Sequence, residues 1–101
     1  MGTIRKKEWE RFTISKDFST RDEYTTGDVI DPAQSFIRVL TSENTDVSTS
    51  MIDDTTIAID GDGVLTGVLY GGNANKRYTV KFQAYISDDK KLEEQDTLIV
   101  G

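Results

Sequence analysis

Five apolar side chains at consecutive alternate positions decide most of what this chain can fold into. Tyr78, Val80, Phe82, Ala84 and Ile86 are interleaved with Thr79, Lys81 and Gln83, and Ser87 follows in the polar phase. Successive side chains of a strand point to opposite faces, so this spacing gathers the apolar set on one side and turns the polar set to water; a helix would scatter the same residues around its circumference. Residues 78–86 are therefore predicted as a strand with one buried face. The C-terminal segment repeats the pattern, with Asp96, Leu98 and Val100 on one side and Thr97 and Ile99 on the other. Asp88-Asp89-Lys90-Lys91 between them reads as a polar hairpin connection. Upstream, residues 55–60 are predicted to face Ile57 and Ile59 inward. Asp60-Gly61-Asp62-Gly63 then offers glycines that take positive φ at little cost, as hairpin turns require. Residues 64–70 return as the partner strand, and Gly71-Gly72-Asn73-Ala74-Asn75 reverses the chain again. Three hairpin-like reversals predict a meander, and a turn every 8–12 residues or so suits an all-β sandwich.

The first half carries weaker periodicity. Residues 9–14 read as a strand with Phe12 and Ile14 inward, and Val47, Thr49 and Met51 form another short alternating run. Residues 36–41 are rich in β-branched and aromatic side chains and favour a strand. A helix competes for this stretch, because Asp31-Pro32 matches a helix start and a helical 33–40 would place Phe36, Ile37 and Leu40 on one face. Residues 15–31 are polar around Tyr24, Val29 and Ile30, as expected of a long ordered loop or an edge strand. With 101 residues and no linker, repeat or low-complexity tract, the chain reads as one domain spanning 1–101. Its first eight residues, including the basic run Arg5-Lys6-Lys7, are expected to be a solvated and partly mobile end.

Composition excludes much chemistry. There is no histidine and no cysteine, so the commonest general base, the commonest metal ligand and the thiol nucleophile are missing. Serines and carboxylates are present, but none stands in a recognisable nucleophile motif, and the chain is expected not to be an enzyme. A net charge of -6 repels phosphate backbones, so nucleic acid is not an expected partner. No run approaches the ~18 apolar residues of a membrane span, and Met1 to Arg5 lacks the apolar stretch of a secretion signal. The acidic turn at 60–63, with Asp53 and Asp54, raises calcium. Its spacing departs from the EF-hand loop, however, and turn chemistry explains the same residues, so no metal or cofactor is expected. Trp9, Tyr70 and Tyr85 are candidates for a sugar-binding platform if they share one face; otherwise they serve as packing or edge cover.

Several short stretches resemble a family of small phage and prophage structural proteins with an immunoglobulin-like β-sandwich. They are Lys16-Asp17, Asp46-Val47-Ser48, Leu69-Tyr70-Gly71-Gly72, Tyr78-Thr79-Val80 and Leu98-Ile99-Val100. Phe18 stands where that family usually has proline, and the aromatic pair that often follows its early tyrosine is absent after Tyr24. The resemblance implies an antiparallel immunoglobulin-like sandwich of about seven strands. It also implies a non-enzymatic virion or assembly component, found in the virion or the host cytoplasm, that docks onto other structural proteins or onto itself. The segment holding Asp22, Tyr24, Asp28 and Asp31, and the turn of Gly71, Gly72 and Asn73, are the partner-binding candidates. The alternative is an extracellular adhesion or carbohydrate-binding sandwich domain, because this architecture hosts many such sites.

Overall fold

Strands account for nearly all regular structure. The computed structural model describes residues 2–25, 28, 30–31, 33–60, 63–86 and 90–101. Seven strands and one helical turn follow in order: β1 (Gly2–Lys6), β2 (Phe12–Asp17), β3 (Phe36–Thr41), α1 (Ser48–Met51), β4 (Ile52–Ile59), β5 (Val64–Leu69), β6 (Lys76–Ile86) and β7 (Lys90–Val100). They form a four-stranded sheet ordered β1-β7-β6-β3 and a three-stranded sheet ordered β2-β5-β4. The chain switches sheets after β1, β2, β3 and β5, which gives the strand arrangement of an immunoglobulin-like sandwich. One pairing departs from the antiparallel expectation: β1 runs parallel to β7, with Ile4 opposite Leu98 and Lys6 opposite Val100.

The alternation in β6 is realised in full. Tyr78, Val80, Phe82, Ala84 and Ile86 are all buried, and β7 contributes Leu92, Leu98 and Val100 beside them. Ile37 and Val39 of β3 complete that inner face, and Ile14, Leu65, Leu69, Met51 and Ile52 oppose it from the second sheet and α1. Gly67 lets the sheets approach, since a Cβ there would stand 2.8 Å from Ile37 Cδ1. Phe18, fully buried beyond the end of β2, closes the core where the chain leaves the sheet. Burying a side chain of this size stabilises the fold by roughly 1.5–3 kcal/mol.

Several expectations need correction. The Gly71–Asn75 reversal is not the turn of a hairpin: β5 and β6 belong to different sheets, so the three reversals do not make a meander. Glycine supports a crossover as readily as a hairpin, and Gly71 and Gly72 adopt φ of +67° and +92°. Val47, Thr49 and Met51 are not a strand. Val47 precedes the single helical turn α1, which swings Met51 into the core. The strand expected over 9–14 begins only at Phe12, and Trp9 sits in the preceding turn. The N-terminal segment is not a loose end from Gly2 onward, because pairing with β7 orders it and Lys6 is buried. Asp31 does use its side chain as a cap, accepting from the Ala33 N–H at 2.9 Å and from Gln34 Nε2 at 2.9 Å. Those bonds close a turn, and β3 follows in place of a helix. Gly61, Asp62, Ser87, Asp88 and Asp89 lie outside the described residues.

Candidate interaction surface

The loop from β2 to β3 is folded down onto the start of β7. The Lys90 ammonium donates to Asp28 Oδ2 at 2.7 Å, to the Glu23 carbonyl at 3.1 Å and to Thr25 Oγ1 at 3.3 Å. Asp28 is buried and also accepts from the Thr25 N–H at 2.8 Å. The Lys90 hydrogen bond, then the Thr25 N–H, hold its carboxyl below the usual carboxylate range. The Tyr24 hydroxyl donates to the Asp28 carbonyl at 2.8 Å, and its ring covers Gly63. Asp31 donates its N–H to the Tyr85 carbonyl at 2.7 Å. Of the loop candidates, Tyr24, Asp28 and Asp31 are thus bound up in the loop's own architecture, and Asp22 is exposed.

The second candidate turn lies at the other end of the sandwich. The Gly71 carbonyl accepts from the Lys6 ammonium at 2.7 Å, and the Asn73 N–H donates to the Tyr78 hydroxyl at 3.1 Å. A Cβ on Gly72 would reach 2.8 Å from Met51 Cε. Strand topology separates the two groups: the β2–β3 loop and Gly63 cap one end, while Gly71, Lys6 and α1 cap the opposite end. Tyr24 and Asp28 are bonded to each other, Asp22 and Asp31 lie elsewhere on the same loop, and Gly71, Gly72 and Asn73 form one turn at the opposite end, so the two groups form no common surface.

The outer face of the larger sheet was not singled out from sequence. Phe36 stands there with 44% of its surface exposed. It lines a shallow concavity of about 380 Å³ with Gln34, Arg38, Gln83, Tyr85 and Lys91. The Arg38 guanidinium lies 5.0 Å from the Phe36 ring centre and the Lys91 ammonium 5.7 Å from that of Tyr85. Each cation stacked on an aromatic face contributes roughly 0.5–1 kcal/mol at an exposed site. The signal available in the sequence was the outward phase of β6 and β3, in which Tyr85, Phe36 and Leu40 are the large apolar exceptions.

The two sides of the sandwich differ. On one side Asp96, buried on β7, accepts from the Gly2 N–H of β1 at 2.9 Å and from Lys16 Nζ of β2 at 2.8 Å, tying the sheets together. On the other, edge strands β3 and β4 leave a groove of about 430 Å³ whose lining includes Ile37, Ile52, Ile57 and Tyr70, with Asp46, Asp53 and Asp54 at its rim. The β3 edge is sealed at its far end: Val39 donates to Ser48 Oγ at 2.8 Å and accepts from the Val47 N–H at 2.9 Å, and Thr41 donates to the Thr45 carbonyl at 2.9 Å. Both backbone groups of Val39 therefore point away from β6. Alternation along an antiparallel strand turns those of Ile37 the same way, toward the groove. The β4 edge is irregular, with a register shift between Asp53 and Ala58 that discourages open-ended pairing.

Of the three rings considered for sugar binding, Tyr85 lines the outer concavity, Tyr70 lines the groove and Trp9 stands on the β1–β2 turn. Among the described residues no three acidic side chains converge as a cation site, and no helix is long and apolar enough to cross a membrane. Asp53, considered above for calcium, is engaged by Thr55 Oγ1 at 2.6 Å and by Arg11 at 2.8 Å, which lower its pKa. No protein-family model matches the chain, and no curated protein matches it either.

Proposed function

We propose that this chain is a non-enzymatic structural module that works by contact, a phage or prophage virion or assembly component docking onto other structural proteins. The observation that carries this reading is the outer face of β3, β6 and β7. A half-exposed Phe36 and the Tyr85 ring sit there beside stacked Arg38 and Lys91 in one shallow concavity. Aromatic and arginine side chains are enriched at protein interfaces because they bring large contact area and directional hydrogen bonds at modest entropic cost. The shape points the same way, since a broad depression suits a protein surface better than a small substrate. The phage assignment rests on the sequence resemblance, which the immunoglobulin-like strand order accords with.

The test is particle incorporation. The tagged chain, produced together with the genes that flank its own, is expected to co-sediment with assembled particles. Lys91→Glu reverses an exposed charge in the outer concavity without touching the core, and it is expected to lower incorporation at least about tenfold while leaving the melting temperature unchanged. Wild-type protein that stays at the top of the gradient in every preparation would refute the reading.

A further inference from the structure

Trp9 is the chain's one tryptophan and 93% of its surface is exposed. The turn that carries it is braced. The Lys7 N–H donates to the Glu10 carboxylate at 2.6 Å and the Glu10 N–H returns to the Lys7 carbonyl at 3.1 Å. Underneath, the buried Lys6 ammonium donates to the carbonyls of Lys7, Glu8 and Gly71 at 2.8, 3.4 and 2.7 Å. An indole held out on a fixed turn keeps a large apolar area in water and loses little freedom when it docks.

The groove between β3 and β4 has what such a ring needs. Its floor is apolar, built on Ile37, Ile52 and Ile57, and it has room for an indole. A buried tryptophan must also place its N–H. The Ile37 carbonyl, turned toward the groove by strand alternation, the oxygens of Ser48 and Thr49 and the carboxylates of Asp46, Asp53 and Asp54 offer acceptors there. Charge is complementary as well. Beside Trp9, Lys7 is exposed, as is Arg5 on the preceding strand, whereas Lys6 is buried under the turn and Arg11 is paired within its own copy. At the groove, Arg38 pairs with Asp46 and Arg11 with Asp53 of the same copy, and the exposed Asp54, which has no ion pair among the described residues, is the carboxylate presented to the cations of an incoming turn.

We infer that Trp9 of one copy seats in the β3–β4 groove of a second copy, and reciprocally, to form a twofold dimer. Turn and groove mouth lie at the same end of the molecule: Arg11, just beyond the turn, reaches Asp53 at 2.8 Å and stacks 5.2 Å from the centre of the Tyr70 ring. One twofold axis at that end can therefore seat both indoles, so two contacts form for a single loss of rotational and translational freedom. This dimer deepens the contact-module reading by naming self-association as one of its contacts, yet Trp9 and Asp54, on which its test rests, lie away from the outer concavity.

The experiment is sedimentation of the full chain over a concentration series, read alongside its tryptophan emission. A dimer is expected to form as concentration rises, with a blue shift of the Trp9 emission in step. Trp9→Ala is expected to weaken dimerisation at least about tenfold and Asp54→Lys severalfold, both without change in melting temperature. Lys91→Glu leaves the dimer intact, so loss from particles and loss of the dimer are separately visible. A monomer at every concentration, or a dimer indifferent to Trp9→Ala, overturns the inference. A dimer sensitive to Trp9→Ala but indifferent to Asp54→Lys overturns the assignment of the groove.

Discussion

Asp28 shows how a single acidic residue can be structural in a loop that reads as solvated. Its carboxylate is out of water, bonded to Lys90 and to the Thr25 N–H, and both bonds favour the ionised form. The same direction holds for Asp17 and Asp46, each capping a following serine, for Asp53, and for Glu93 between Gln95 and Gln83. A carboxyl whose pKa is lower in the folded than in the unfolded chain binds protons more weakly when folded. Its stabilising contribution is complete above the ordinary carboxylate range and is lost as pH falls through the folded value. The protein is therefore expected to melt at progressively lower temperature on acidification below about pH 5. Asp28→Asn removes one of these carboxylates, so it is expected to lower the melting temperature at neutral pH and to flatten the acid limb. Calorimetry across pH checks both, and an acid limb as steep in the variant as in the wild type would remove Asp28 from this account.

At the scale of elements, what could be read in advance depended on whether burial itself was periodic. The strand β6 was legible because its neighbours bury one face along its whole length, from Tyr78 to Ile86. α1 was not, since Val47, Thr49 and Met51 alternate in sequence while a four-residue helical turn is fixed by what Met51 packs against. The β5–β6 crossover was misread as a hairpin because Gly71-Gly72 specifies a sharp reversal and says nothing about which sheet receives the next strand. Part of the interaction surface was visible: Trp9 stands out of phase with Phe12 and Ile14. Phe36 could be placed on a strand, but which side of the sheet faced water depended on the partner strand. β1 was least legible, because its order comes from a distant strand. Asp96 is the bond that fixes it, by accepting from Gly2 while also pairing with Lys16. Removing the buried carboxylate takes a bond from the Gly2 N–H and leaves the partly buried Lys16 ammonium without its partner, so Asp96→Ala is expected to cost about 1–3 kcal/mol in urea unfolding. Hydrogen exchange should show the β1 amides losing protection first, before those of β6.

For the whole molecule, the asymmetry of the sandwich is the organising fact. The β1–β2 side is tied shut through Asp96 and the β3–β4 side is left open as a groove. The outer concavity lies around the corner from that groove, and Phe36 lines both. A residue shared by two contact surfaces makes a prediction that neither surface makes alone. Lys91→Glu should affect only docking through the outer face, and Trp9→Ala only self-association. Phe36→Asp places a charge at the common rim, where it opposes an apolar partner on either side. Because Phe36 is 44% exposed and lies outside the buried core, the substitution is expected to cost about 1 kcal/mol or less in stability. Sedimentation of Phe36→Asp should therefore show a weakened dimer, and co-sedimentation with particles should show reduced incorporation, in a protein whose circular dichroism and melting remain close to wild type. If the variant keeps one behaviour intact while losing the other, Phe36 serves a single surface and the two contacts are independent. If it keeps both, the open side of the sandwich is not where this protein meets its partners.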